Sequence, residues 1–135
     1  MKKGFTLTEL LIALGILAVA LTGLLSIYIA GNWLIESGRN TMTATKDAEA
    51  VFEYIKSLDL SNSAVRANLR NNRNNQTWWQ NAIGNFTLSN ETVNVSNLNS
   101  SDPSWNDNPL GLQVTVSWTE RGRNRNVSLQ TEFSY

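Results

Sequence analysis

Lys2-Lys3-Gly4-Phe5-Thr6-Leu7-Thr8-Glu9 opens the chain, and the 26 residues from Leu10 to Ile35 follow without a single charge. That run holds Leu10, Leu11, Ile12, Leu14, Ile16, Leu17, Val19, Leu21, Leu24, Leu25, Ile27, Tyr28 and Ile29, and continues through Trp33, Leu34 and Ile35. A helix needs about 20 apolar residues to cross a hydrocarbon core, and Leu10–Ile29 supplies them. Beyond Leu60 no second run of this kind occurs, and 16 of the 18 asparagines lie there. The chain therefore reads as an oily N-terminal rod followed by a polar C-terminal head.

The whole chain has 135 residues, with 11 basic and 11 acidic side chains, no His and no Cys. Without Cys there is no disulfide framework, thiolate metal site or thiol nucleophile. Without His the commonest general base and transition-metal ligand is missing. A neutral balance supplies no global field for nucleic acid. These counts point away from an enzyme, and no residue pattern calls for a cofactor or a metal.

Three readings of the first 35 residues compete. In a cleaved secretory signal, Lys2 and Lys3 form the basic end and Ala18-Val19-Ala20 the cleavage site. Against it, Glu9 stands inside the apolar core and the run continues well past Ala20. An uncleaved single-pass anchor keeps the lysines cytoplasmic but leaves Glu9 without a purpose. The third takes the residues in order: a short basic leader ending in Gly4, then Phe5, then a lone carboxylate at Glu9. This arrangement resembles the class III signal of type IV pilins and pseudopilins, with Thr8 a mild departure where an apolar residue is common.

The resemblance implies a leader of residues 1–4 removed by prepilin peptidase between Gly4 and Phe5, and N-methylation of Phe5. It also implies a pairing of Glu9 with the freed amine of Phe5, its own or a neighbour's, which sets register during assembly. An ionisable group in a membrane segment needs such a partner. Loss of Lys2 and Lys3 turns the neutral balance acidic. Residues 5–35 would form the transmembrane and assembly helix, and residues 36–135 the head, including an amphipathic half of the helix. The implied location is the inner membrane with the head outside, then a pilus or periplasmic pseudopilus. The implied partners are other pilins or pseudopilins, the peptidase and the assembly platform.

Met42, Ala48, Val51, Phe52, Ile55 and Leu58 recur largely at three- and four-residue steps, with charged residues between them, so the helix is expected to run from Phe5 to Leu58. Gly15, Gly23, Gly31 and Gly38 interrupt it, and residues 10–58 contain no proline. Next come an expected short helix over Ala64–Leu69, capped by Ser61 or Ser63, a loop at Asn71–Asn75 and a helical turn around Trp78-Trp79 ending before Gly84. Phe86 and Leu88, then Val93 and Val95, suggest two short strands. Leu112, Val114, Val116 and Trp118 alternate with polar residues, as do Val127, Leu129, Thr131 and Phe133. These runs predict an antiparallel hairpin around the loop Glu120-Arg121-Gly122-Arg123-Asn124-Arg125. The expected class is α+β: a long N-terminal helix packed on an antiparallel sheet of three or four strands, the order of the pilin fold. The arrangement is most similar to PilV-like minor pilins or pseudopilin I. Zero Cys departs from major pilins, many of which close this region with a disulfide, and favours a minor subunit.

Two further constellations stand out in the head. Arg121, Arg123 and Arg125 cluster in the hairpin loop, and Arg66, Arg70 and Arg73 in another region. With Trp79 or Trp105 they could hold DNA through phosphate contact and stacking, which makes a membrane-anchored DNA- or glycan-binding domain the alternative from a different class. Solubilising loop arginines are the plainer account. Asp102, Asp107, Asn106 and Asn108 offer oxygens to calcium, but one aspartate pair is a weak signal.

Overall fold

The computed structural model describes residues 6–84, 86–99 and 105–135. Two compact units divide the chain, residues 1–38 and 39–135. Helix α1 is assigned over Leu7–Ser57, close to the expected span. In the first unit no described residue is buried: every position from Thr6 to Glu36 is exposed, apolar side chains included.

In the second unit α1 contributes Ala44, Ala48, Val51 and Ile55 to the core, all completely buried. Their spacing of four, three and four keeps them on one stripe of the helix. Met42, expected on that stripe, is exposed, because six residues before Ala48 is a 240° rotation away. Ala44 occupies the place it was assigned. The helix ends two residues before Asp59, whose carboxylate accepts from the backbone N–H of Ser61 at 3.1 Å. That local bond gives the chain an alternative to another helical turn.

Helices α2 (Ser63–Asn71) and α3 (Gln76–Ile83) follow. The cap of α2 is neither Ser61 nor Ser63 but Asn62, which accepts from the N–H of Ala64 at 2.9 Å. Asn75 caps α3 by accepting from Trp78 N–H at 3.1 Å, so one end of the asparagine loop starts a helix. Gly84, with φ of 105°, closes α3 in a conformation that side-chain-bearing residues rarely adopt.

A three-stranded antiparallel sheet completes the unit, in the order β1 (Thr92–Asn97), β2 (Leu110–Glu120), β3 (Arg123–Phe133). Alternation along β2 buries Leu110, Leu112, Val114, Val116 and Trp118, and β1 adds Val93 and Val95. The hairpin is tighter than expected. Arg121 (φ 52°) and Gly122 (φ 74°) alone form the turn, with Glu120 opposite Arg123. Two central residues of positive φ match the right-handed twist of the strands, so Arg123, Asn124 and Arg125 belong to β3 and not to a loop. The expected strand at Phe86 and Leu88 does not form. The N–H groups of Thr87 and Leu88 instead donate to one oxygen of Glu91 at 3.1 and 2.9 Å, which removes them from any ladder.

The core also takes in Leu60, Leu69, Trp79 and Trp105. Trp79 is fully buried, donates its indole N–H to the carbonyl of Arg73 at 3.2 Å, and meets Trp78 edge-on at 4.6 Å. Arg66 of α2 is buried as well. Its guanidinium donates to the carbonyls of Leu60 and Ser61 and to the side-chain oxygen of Asn106, and lies 4.8 Å from the Tyr135 ring centroid. Tyr135 in turn donates its hydroxyl to the Asp107 carbonyl at 2.8 Å. Arg66 thus fastens α2 to the loop before β2 and to the segment after β3. Arg66→Ala leaves the buried Leu60 carbonyl without this donor and is expected to destabilise the head by about 2–3 kcal/mol. A lower urea midpoint at unchanged slope is the measurement; an unmoved midpoint denies the clasp its role.

Candidate functional site

The N-terminal segment holds the chain's strongest chemical signal, and its local geometry follows from Thr6-Leu7-Thr8-Glu9. Thr6 precedes the first helical residue. Its hydroxyl accepts from Glu9 N–H at 3.3 Å, while Glu9 Oε2 accepts from Thr6 N–H at 2.9 Å and from Thr6 Oγ1 at 2.8 Å. This is a reciprocal capping box, in which residue and cap satisfy each other's free N–H groups. The carboxylate also stands at the positive end of the helix dipole. In the single chain, then, Glu9 is engaged by Thr6. The T-x-x-E spacing that builds this cap was legible in the sequence and went unread there. Gly4 and Phe5, the expected cleavage and methylation positions, lie outside the described residues.

Past Glu9 the helix displays Leu10, Leu11, Ile12, Leu14, Ile16 and Leu17, each more than half exposed, and the series continues to Ile35. Contiguous apolar surface of this extent on a soluble monomer marks a membrane or protein contact. Among the described residues one helix is long and apolar enough to cross a membrane. Two of its hydroxyls bond back to the helix itself: Thr22 donates to the Ala18 carbonyl at 2.8 Å and Ser26 to the Thr22 carbonyl at 3.0 Å. Such back-bonding lets hydroxyls sit where no water reaches. A Cβ added at Gly15, Gly23 or Gly31 would meet nothing within 4 Å, so these positions leave room along the helix surface for a close neighbour.

Arg121, Arg123 and Arg125 are all exposed. Arg121 lies in the turn, Arg123 and Arg125 in β3, and Arg125 Nε is 3.5 Å from the largely buried carboxylate of Glu120. Glu120 also accepts from Asn40 of α1 at 2.8 Å. Arg66 is a buried clasp, and Trp79 and Trp105 are core residues, so none of the three offers an open stacking or phosphate contact. The oxygens proposed for calcium are likewise engaged. Asp107 accepts from Asn99 at 2.8 Å, Asn106 from Arg66 at 3.0 Å, and Asn108 exchanges bonds with the backbone of Tyr135. Asp102 lies outside the described residues. Among those described, no three His, Cys, Asp or Glu side chains stand together.

One buried acid was not anticipated. Glu91 is 8% exposed, faces Asp47 of α1, and its Oε1 and Oδ2 of Asp47 are both enclosed without a donor. Burial, then the neighbouring Asp47 carboxylate, pushes Glu91 up to about 7, against the lowering effect of the Leu88 and Thr87 amides. A proton held between the two acids would give both oxygens a partner. Because the folded-state value is raised above the ordinary 4.5, the stabilisation is complete below pH 4.5 and is lost as pH rises through 7. The head is therefore expected to be less stable at pH 7 than at pH 4.5. Glu91→Gln keeps an oxygen for the two amides and offers Asp47 a permanent donor, so its thermal midpoint should vary less between pH 4.5 and 7 than the parent's. Parallel profiles for the two proteins would remove the shared proton.

A family model, the prokaryotic N-terminal methylation motif, matches residues 1–25. No curated protein and no solved structure matches the chain. The motif covers the basic leader, Gly4, Phe5, Glu9 and the first four turns of exposed apolar helix, and the remainder folds as helix on antiparallel sheet; over these 25 residues the match supports a type IV pilin-like or pseudopilin-like protein.

Proposed function

We propose that this chain is a minor pilin-like structural subunit of a type IV pilus, without catalytic activity of its own. Residues 1–4 are the leader, residues 5–35 the membrane and assembly helix, and residues 36–135 the head. Prepilin peptidase cuts between Gly4 and Phe5, and methylation of the Phe5 amine retains its positive charge. Lys2 and Lys3 hold the leader at the cytoplasmic face, with the head on the other side. On extraction into a filament, the exposed face of residues 10–35 exchanges lipid for neighbouring helices. Glu9 then leaves Thr6 for the amine of an adjacent subunit, a buried pairing that selects one register while apolar faces slide. The assembly platform and the other pilins are the partners.

The observation that carries this reading is the methylation motif running without interruption into a helix exposed from Thr6 to Glu36. Mass spectrometry of the native protein is the test. A chain beginning at methylated Phe5 is expected, and one beginning at Met1 or Leu21 overturns the reading. A pseudopilin of a type II secretion system is the same-class alternative. Surface labelling separates the two, since a pilus carries the head outside the cell and a pseudopilus keeps it in the periplasm. The exposed Arg121 and Arg123 at the hairpin tip support a different reading, a membrane-anchored nucleic-acid binder. Salt-sensitive DNA retention lost in an Arg121, Arg123 and Arg125 triple substitution is its signature.

A further inference from the structure

The two edges of the head's sheet are treated differently. In the hairpin, Glu120 and Arg123 are paired across a two-residue turn, a position that in such hairpins exchanges both backbone bonds. Odd-numbered residues of β3 therefore point their N–H and C=O groups at β2, and even-numbered ones point theirs away. The same count applied to β1 turns Val93 and Val95 outward, and there the edge is closed. Gln76 brackets Val93 with bonds of 2.7 and 2.8 Å, and Val95 N–H donates to the Arg73 carbonyl at 3.1 Å. On β3 the outward residues Asn124, Asn126, Ser128 and Gln130 are all exposed. Among the described residues, nothing bonds their backbone groups. This 11-residue edge has no proline and no interruption in its register, and its charges, Arg123, Arg125 and Glu132, stand toward its two ends, which leaves Asn126–Gln130 without one.

We propose that the open edge of β3 receives an extended segment of a second protein as a fourth, antiparallel strand. Side chains on the helix-facing side of β3 define what fits: Arg123 and Arg125 at one end, half-buried Val127 and Leu129 in the middle. The partner strand carries apolar residues opposite Val127 and Leu129 and acidic ones opposite Arg125 and Arg123. Backbone bonds supply affinity, and the alternate side chains supply selectivity. A second copy of β3 does not meet this requirement. Parallel pairing sets each arginine against itself, and antiparallel pairing about Ser128 sets Arg123 against Phe133 and Arg125 against Thr131. The site is separate from the N-terminal helix and holds whether the chain serves a pilus or a pseudopilus.

The test uses the full chain in detergent micelles, with hydrogen exchange read amide by amide. The probe is an end-blocked peptide, Val-Thr-Val-Thr-Val-Thr-Glu-Thr-Glu, beside a version with Lys for Glu. The acidic peptide should slow exchange at Asn124, Asn126, Ser128 and Gln130 by about fivefold or more, and the Lys version should do so far less. Ser128→Pro removes an outward N–H, which an edge strand tolerates, together with the exposed hydroxyl bond to Thr115, and should abolish the protection. Should that variant unfold, Arg123→Glu with Arg125→Glu serves instead and should reverse the preference between peptides. No protection at millimolar peptide, equal protection by both, or protection that rises with protein concentration alone would each overturn the proposal, the last by showing that a second copy fills the edge.

Discussion

Gly4→Ala leaves the chain at full length, with its basic leader still attached, when it is produced together with prepilin peptidase. The cut is proposed at the bond between residue 4 and Phe5, and glycine is the one residue without a Cβ beside that bond. A methyl group there is expected to lower processing by about two orders of magnitude, the scale on which small misplacements act in an active site. Two consequences follow in turn. The Phe5 amine is never freed, so it is not methylated, and Glu9 has no new positive charge to meet. Intact mass and immunoblotting of membranes read both. Normal shortening of the variant would move the cleavage site elsewhere.

Glu9→Ala, by contrast, is processed normally and then fails to enter filaments, with incorporation falling about tenfold or more, as expected when one partner of an enclosed charge pair is removed. Alanine is the best helix former, so the substitution does not weaken the interior of the helix. It does remove the capping bonds to Thr6, at 2.9 and 2.8 Å, and that ambiguity needs a second variant. Glu9→Gln preserves the box, since glutamine serves at the same position, but carries no charge. If the Glu9→Gln protein assembled like the parent, the carboxylate would be a cap and nothing more. If it fails as the alanine variant does, the charge is what assembly uses. Filament content by shearing and immunoblot, alongside the intact mass, distinguishes faulty processing from faulty assembly.

The head shows where local reading stops. The Leu112–Trp118 alternation needed only its period of two to announce a half-buried strand, and it is one. Phe86 and Leu88 show the same short alternation, yet Glu91, three residues beyond Leu88, takes the N–H groups of Thr87 and Leu88. Period alone cannot separate those cases, because the competing acceptor is a side chain. Arg121, Arg123 and Arg125 looked alike as loop cations. A two-residue turn, tighter than the six polar residues suggested, put two of them in a strand and set Arg125 against Glu120. Arg66 carried no mark at all of its burial, since Asn106 and the Tyr135 ring that hold it come from distant stretches.

What the sequence determined by itself is the anchor: a charge-free run of 26 residues behind Gly4, Phe5 and Glu9 needs no tertiary contact to be apolar, helical and long enough for a bilayer. Even the capping box at Thr6 and Glu9 was written there, because its partners are three residues apart. Tertiary structure decided which groups of the head are free. Closure of the β1 edge by Gln76 and Arg73, the openness of β3 and the enclosure of Glu91 against Asp47 each join residues 17 or more positions apart, or leave such a join unmade. Local periodicity carries no information about those encounters, since they depend on where the chain's turns return it.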